Sequence, residues 1–507
     1  LSPFFYLFCK RKIHNFTFVD RFLLIFFFAF AKAQHTPGVM IDSFQTFDSY
    51  SDIKYDESLR PQFHFSSKKN WINDPNGMVY YKGEYHLFFQ HNPKAIHWGN
   101  MTWGHAVSKD MVHWEQLRHA ILPYGNGTIF SGTAAVDYPN SLGKNSDKEA
   151  AIVAYFTHAQ NDSNDLFYQA GAFSTDRGRT FQLIDGGLPL VENQGFDRAE
   201  RDPKIFWHAP SKKWVLILWI KRADKKKLND LGKVRFFGST DLKKWEKLSD
   251  FDRKWVYECM NLVELEVDGD SNYKRWVIYD ASFDYEIGTF DGSSLSTDSE
   301  NYIGDMGDTY YAAQTFNNSP DGRTVIMGWL RTRKNNVYVD NNMPFNQHMS
   351  FPAKLELRTT ANGIRLFRWP VKEIKNLYHK SFEYRNIKTK ALNENLKKES
   401  FDGIDIFMSF ERSATSSFHV IIRGHIISYR KGNFYFNGVI LPTLNLNKVN
   451  VRILLDRTSI EIFADDGFSV LSEYAISDFE DNQISVCSDD ELIFDVFEVN
   501  KLKSIWK

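Results

Sequence analysis

The sequence predicts an all-β protein, a five-bladed β-propeller followed by a C-terminal β-sandwich, and three observations predict it. Sustained helical periodicity is scarce, while short runs rich in Val, Ile, Phe, Tyr and Trp recur between Gly, Asn and Asp turns. Five stretches repeat a strand, turn, strand pattern at intervals of roughly fifty to seventy residues, the range in which repeated units build propellers. Near the C-terminus this repeat gives way to regularly spaced alternating strands, which suit a sandwich. At 507 residues the chain also exceeds what one hydrophobic core supports.

Residues 1–33 read as material ahead of the folded chain. Arg21 precedes the apolar run "FLLIFFFAFA" and the small residues of "AKAQ", which fits a secretory signal cut near Ala33 and a secreted, extracellular product. The run is about ten residues long, half of what a spanning helix needs, so no membrane contact is expected after cleavage. The residues before Arg21 read as an upstream piece that carries no fold argument. Residues 34–60 are assigned to an N-terminal extension, 61–370 to the propeller, 371–400 to a linker and 401–507 to the sandwich.

The blade openers are "NDPNGMVYYKGEYHLFFQ" from Asn73, "SGTAAVDYP" from Ser131, "RDPKIFWHAPSKKWVLILWI" from Arg201, "ECMNLVELEVDGDSNYKRWVIYDAS" from Glu258 and "YYAAQTFNNSPDGRTVIMGWL" from Tyr310. A second repeat runs out of phase: "VSKDMVHWEQL", "FSTDRGRTFQL" and "GSTDLKKWEKL" each set a Ser-x-Asp turn before an outer strand, at Asp110, Asp176 and Asp241. In a propeller the innermost strands line the central channel, so equivalent blade positions converge. Asp74, Asp202 and Glu258 are therefore expected to meet at one mouth of it. A single acidic residue at a turn is ordinarily a capping carboxylate; three at equivalent positions point to a site.

The charged stretch "RNIKTKALNENLKKES" at 385–400 reads as linker or loop. Beyond it, "FHVIIRG", "GNFYFNG", "VRILLDRTSIEIFADDG" and "ISVCSDDELIFDVFEV" alternate as sandwich strands. Asp456, Glu461 and Asp465 in this module are expected to be surface charges.

A net charge of -1 supplies no basic stripe for nucleic acid and fits a small neutral substrate better, and an aromatic content of 16% suits a folded protein with sugar-stacking or core aromatics. Of the three cysteines, Cys9 leaves with the signal, and Cys259 and Cys487 are expected to be buried free thiols. Acceptor sequons stand at Asn100, Asn126, Asn161 and Asn317. His91, His97 and His105 lack metal-ligand spacing, so neither a metal nor a cofactor is expected. Cys259 follows Glu258 with no histidine in its motif to activate a thiol nucleophile.

In order along the chain, "WINDPNG", "FFQHNP", "FSGTA", "RDP", "ECMNLVEL" and "LLDRTSIEIFADDG" resemble glycoside hydrolase family 32, the invertases, inulinases and levanases, over about residues 60–500. The resemblance implies that Asp74 is the nucleophile, Glu258 the acid/base and Asp202 the transition-state stabiliser. It implies substrate contacts from Trp71, Asn73, Gln90, Trp98, Phe130, Ser131 and Arg201. The activity it implies is that of a secreted retaining β-fructofuranosidase hydrolysing sucrose, with short fructans as further substrates. A fructosyltransferase would use the same site, and a non-catalytic carbohydrate-binding propeller would be expected to have lost one of the three carboxylates.

That chemistry needs this set. Breaking a fructosyl bond develops positive charge on the ring, so one carboxylate attacks the anomeric carbon while an acid protonates the leaving oxygen. Crowded carboxylates raise at least one pKa. A third can accept hydroxyl hydrogen bonds that strengthen in the transition state. A retaining pair is expected to stand about 5–5.5 Å apart. Trp71 and Phe130 flank motif residues and are assigned to the site walls; Trp98 is open between wall and core. Gln90 and Arg201 can bond hydroxyls, orient the carboxylates, or both.

Overall fold

The computed structural model describes residues 35–506 apart from 225, 228, 333–335, 413–416 and 477–480. The signal expected at 1–33, with Cys9, lies outside the described residues.

Strand pairing groups residues 70–370 into five successive antiparallel runs of four, whose first strands are Asn70–Tyr81, Gly127–Val136, Arg201–His208, Asn261–Val267 and Tyr310–Thr315. Each opener in the sequence thus falls on or just before a first strand. Side chains and backbone tie these first strands into a ring. Ser131 reaches Asp74, Thr133 Oγ1 donates to the Pro203 carbonyl at 3.1 Å, and the Cys259 amide donates to Asp202. Asn261 Nδ2 donates to the Ala313 carbonyl at 3.3 Å, and the Tyr80 and Asn317 backbones bond to close the circle. Closure of this kind makes the unit a propeller, whose innermost strands leave only short, protected edges at the axis.

The out-of-phase repeat is a hydrogen-bonded turn. Ser108 to Asp110, Ser174 to Asp176 and Ser239 to Asp241 pair their side chains at 3.2, 2.7 and 3.2 Å, and each aspartate accepts amides from the residues that follow. The turns feed the outer strands Trp114–Ile121, Gln182–Leu183 and Glu246–Arg253.

The C-terminal sandwich packs a six-stranded sheet on a five-stranded one around Ile406, Met408, Phe410, Val451, Ile453 and Phe497. Three expectations need correction here. The stretch assigned to a linker at 371–400 contains the strand Tyr378–Lys388, which pairs with Ile493–Leu502, and the helix Thr389–Leu396. Its surface lysines and glutamates hide two short apolar periods, Phe382 with Tyr384 on the strand and Thr389, Leu392 and Leu396 on the helix. Cys487 is exposed rather than buried, because Ile484 and Val486 take the inward positions of its strand.

Asp456, Glu461 and Asp465 are not surface charges; they are 0%, 1% and 4% exposed. His64, wholly buried ahead of the first blade, is bound at Nδ1 by Asp456 and at Nε2 by Glu461, each at 2.8 Å. Asp456 also accepts the Gln62 and Phe63 amides, and Glu461 the Phe351 amide. Burial alone would depress the imidazole, but these two carboxylates outweigh it and raise His64 to about 9. Together they rivet the sandwich to the propeller. Leu454, Phe463 and Val470 continue the seam by joining the core of Phe63, Phe65 and Phe351.

Candidate active site

"WINDPNG" is no turn but part of a single strand, Asn70–Tyr81, broken by register shifts between Ile72 and Pro75 and between Asn76 and Val79. The turn-forming residues are absorbed as irregularities that re-aim side chains, as bulges next to active sites do. Gly77 has φ 53°, and a Cβ there would lie 2.6 Å from Phe88 Cδ2, so only glycine lets the strand pass. The result presents Asp74 at the channel mouth, where Ser131 Oγ donates to its Oδ2 at 2.6 Å.

Asp202 opens the first strand of the third blade and Cys259 precedes that of the fourth. Both occupy the left-handed region, at φ 65° and 52°, a strain that tertiary packing sustains at functional sites. The Cys259 amide donates to Asp202 Oδ2 at 3.1 Å. Its Sγ stands 3.4 Å from that oxygen and 3.6 Å from Asp74 Oδ2, so one sulfur spans the two aspartates. Glu258, beside it, is held from two sides. Arg201 donates to Oε2 from Nε and Nη2 at 2.9 and 2.6 Å, and Tyr311 Oη donates to Oε1 at 2.5 Å. Arg201 is fixed in turn by the Ala199 carbonyl and by the Trp219 ring, 4.6 Å from its guanidinium carbon.

Three carboxyls packed this closely disturb one another. Burial, reinforced by the charge of Glu258, raises Asp74 above the usual aspartate range. Burial and the charges of Glu258 and Asp74 push Asp202 up to about 7 against the pull of Arg201. Burial and the surrounding carboxylates likewise hold the Cys259 thiol well above its ordinary value, the opposite of what a thiol nucleophile needs.

The remaining expected residues separate into layers. Trp71 Nε1 donates to Asn73 Oδ1 at 2.9 Å, and its ring meets Trp329 edge-on at 6.1 Å. Phe130 and Trp98 form an edge-to-face pair at 6.0 Å, with Trp98 59% exposed as a rim residue rather than core. Gln90 is 2% exposed and faces Asn76, whose amide oxygen, suitably turned, accepts from its N and Nε2 at 3.1 Å each. It supports the irregular strand from below. His91 and His105 are buried and His97 is exposed, and among the described residues no cluster of His, Cys, Asp and Glu is arranged to hold a metal. Sequence reasoning missed Tyr311. It stands in the fifth opener, which carries no carboxylate, and equivalence with the other four openers was the signal available.

The N-terminal domain of glycosyl hydrolases family 32 matches residues 64–370, and the C-terminal domain of that family matches 408–504. The chain belongs to glycoside hydrolase family 32. It is 34% identical to a levanase of Bacillus subtilis over 85% of this chain and 68% of that one. It is 30% identical to an extracellular exo-inulinase of Aspergillus niger, over 83% and 90%. The crystal structure of the Aspergillus awamori exo-inulinase superposes with a TM-score of 0.76 at 27% identity, covering 89% of this chain and all of that one. The family 32 chain is thus a glycoside hydrolase that cleaves fructosyl bonds.

Proposed function

We propose that this family 32 hydrolase is a secreted, retaining β-fructofuranosidase that hydrolyses sucrose and short fructans through a fructosyl-enzyme ester. The observation that carries the reading is the meeting of Asp74, Asp202 and Glu258 around Cys259. In this mechanism Asp74 attacks the anomeric carbon while Glu258 gives its proton to the departing glycosidic oxygen. Ser131 Oγ and Cys259 Sγ both sit on Asp74 Oδ2 and fix the orientation of the carboxylate. Ester formation neutralises Asp74 as Glu258 becomes ionised, so the net charge of the cluster is kept and Glu258 is left as the carboxylate base for the second step. Glu258 then takes a proton from water, which opens the ester and retains configuration. Asp202, turned by the Cys259 amide, accepts ring hydroxyls whose bonds tighten as the ring gains positive charge.

Because Asp74 must be ionised to attack and is held above the usual range, kcat/KM declines on the acid side at a pH above that of an ordinary aspartate. Secretion is supported by the apolar run after Arg21, by the extracellular exo-inulinase relative, and by sequons on exposed Asn126 and Asn161. Asn317 is a different case. Its Nδ2 donates to the Ala134 carbonyl at 2.6 Å, so that sequon is spent on the fold. Among the described residues no helix is long and apolar enough to cross a membrane.

Release of glucose and fructose from sucrose tests the reading. Equal amounts support hydrolysis, glucose in clear excess means transfer of fructose to a second sugar, and release of neither overturns the sucrose assignment.

A further inference from the structure

Residues from the N-terminal region, an outer strand and the C-terminal region line an open cavity of about 480 Å³ on the flank of the first blade. The N-terminal extension supplies Phe47 and Tyr55, the segment before the first strand Lys68, the outer strand Trp114 and Gln116, and the C-terminus Trp506. None of these belongs to the carboxylate cluster. Two features separate the cavity from an ordinary surface dimple.

Tyr55 holds φ 63°, a conformation that a bulky side chain adopts only when its surroundings impose it. That backbone lays its ring flat on Trp506, with centroids 4.1 Å apart and planes within 1°. Trp506 is itself anchored through Nε1 to the Pro61 carbonyl at 2.5 Å. The second feature is Gln116, 8% exposed, whose Oε1 accepts the Lys68 amide at 2.6 Å while its Nε2 has no hydrogen-bond partner. A buried donor left unpaired calls for a ligand or water to complete it.

Aromatic walls around a few fixed donors are the chemistry that recognises a sugar, whose ring carries apolar C–H faces and a rim of hydroxyls. We propose that this cavity is a second saccharide site, which binds a fructosyl segment of a polymeric substrate outside the catalytic mouth. The proposal rests on the fructoside-hydrolase reading above. Gln116 Nε2 and the Lys68 ammonium donate to hydroxyl oxygens, and the Tyr55 and Trp506 pair forms one wall. The site retains long chains near the enzyme without taking part in bond cleavage.

Two substitutions isolate it. Tyr55→Asn removes the ring and suits the left-handed backbone, and an unchanged sucrose turnover reports that the fold survives the loss of its stacking on Trp506. Gln116→Glu keeps the acceptor for the Lys68 amide and replaces the unpaired donor with a charged oxygen that cannot donate. Affinity electrophoresis in gels containing levan, inulin or dextran, run in an Asp74→Asn background, reads binding directly. The expected result is retardation by levan or inulin and not by dextran, weakened about threefold or more by each substitution. Turnover of sucrose by the same substitutions in the otherwise native enzyme stays unchanged. Absence of retardation, equal retardation by dextran, or retardation untouched by both substitutions would overturn the proposal. Failure of the hydrolase reading would appear elsewhere, as no fructose released from sucrose or either polymer by the native enzyme.

Discussion

The molecule buries two clusters of acid groups, and they behave in opposite ways. At the propeller mouth, Asp74, Asp202 and Glu258 share one arginine, one tyrosine, one serine and one cysteine, and two of them are pushed upward. At the seam with the sandwich, Asp456 and Glu461 flank a charged His64, and Asp456 is held below the usual range by that imidazole and by backbone amides. The seam acids are fully buried and the mouth acids partly so, yet it is the more buried Asp456 that is held low, because pairing differs. A carboxylate matched by a cation and amides is structural cement, whereas one crowded by its own kind holds reactivity in reserve.

The largest effect that can break this comparison is on turnover. Asp74→Asn preserves shape and removes the attacking oxygen, so kcat is expected to fall by at least ~10⁴-fold while the thermal midpoint stays or rises. Near-normal sucrose turnover in this variant would remove Asp74 from the mechanism. At the seam the expectation inverts. His64→Leu strands two buried carboxylates and should cost about 3–5 kcal/mol of stability, read by denaturant titration, with kcat of the folded protein unchanged.

The same histidine gives a pH signature of known sign. Its folded value, about 9, lies above its unfolded value near 6.5, so its stabilisation is complete below the lower value and lost as pH rises through the upper. Between about pH 6 and pH 10 the chain should lose about 3 kcal/mol. Unfolding titrations across that range check this, and the loss should vanish in His64→Gln.

A smaller effect sharpens the mouth. Tyr311→Phe deletes the bond to Glu258 Oε1, and kcat should fall about tenfold with KM little changed, measured by steady-state kinetics on sucrose. The smallest concerns the thiols. Cys487 should react with a disulfide reagent at once, and Cys259 only on unfolding.

The propeller was legible because its period is long and its openers are chemically alike, so Asp74, Asp202 and Glu258 could be brought together from spacing alone. The strand through Asp74 was harder: Asn-Asp-Pro and Asn-Gly ordinarily mark turns, and only the ring of neighbouring blades forces them into an irregular strand. Local patterns also misled at 385–400, where charge concealed a strand and a helix. The seam was invisible, since Asp456 and Glu461 look like surface acids until His64, almost four hundred residues away, is folded between them. Tyr311 escaped because nothing in its motif shows which carboxylate it will face.

The central claim is that bond cleavage passes through an ester on Asp74. In Glu258→Gln, fructosyl fluoride needs no acid to react, yet the ester lacks the base that would open it, so the intermediate should accumulate. Mass spectrometry of the peptide containing Trp71 to Gly77 should then show one fructosyl group on Asp74. An unmodified peptide, together with product of inverted configuration from the native enzyme, would contradict the account.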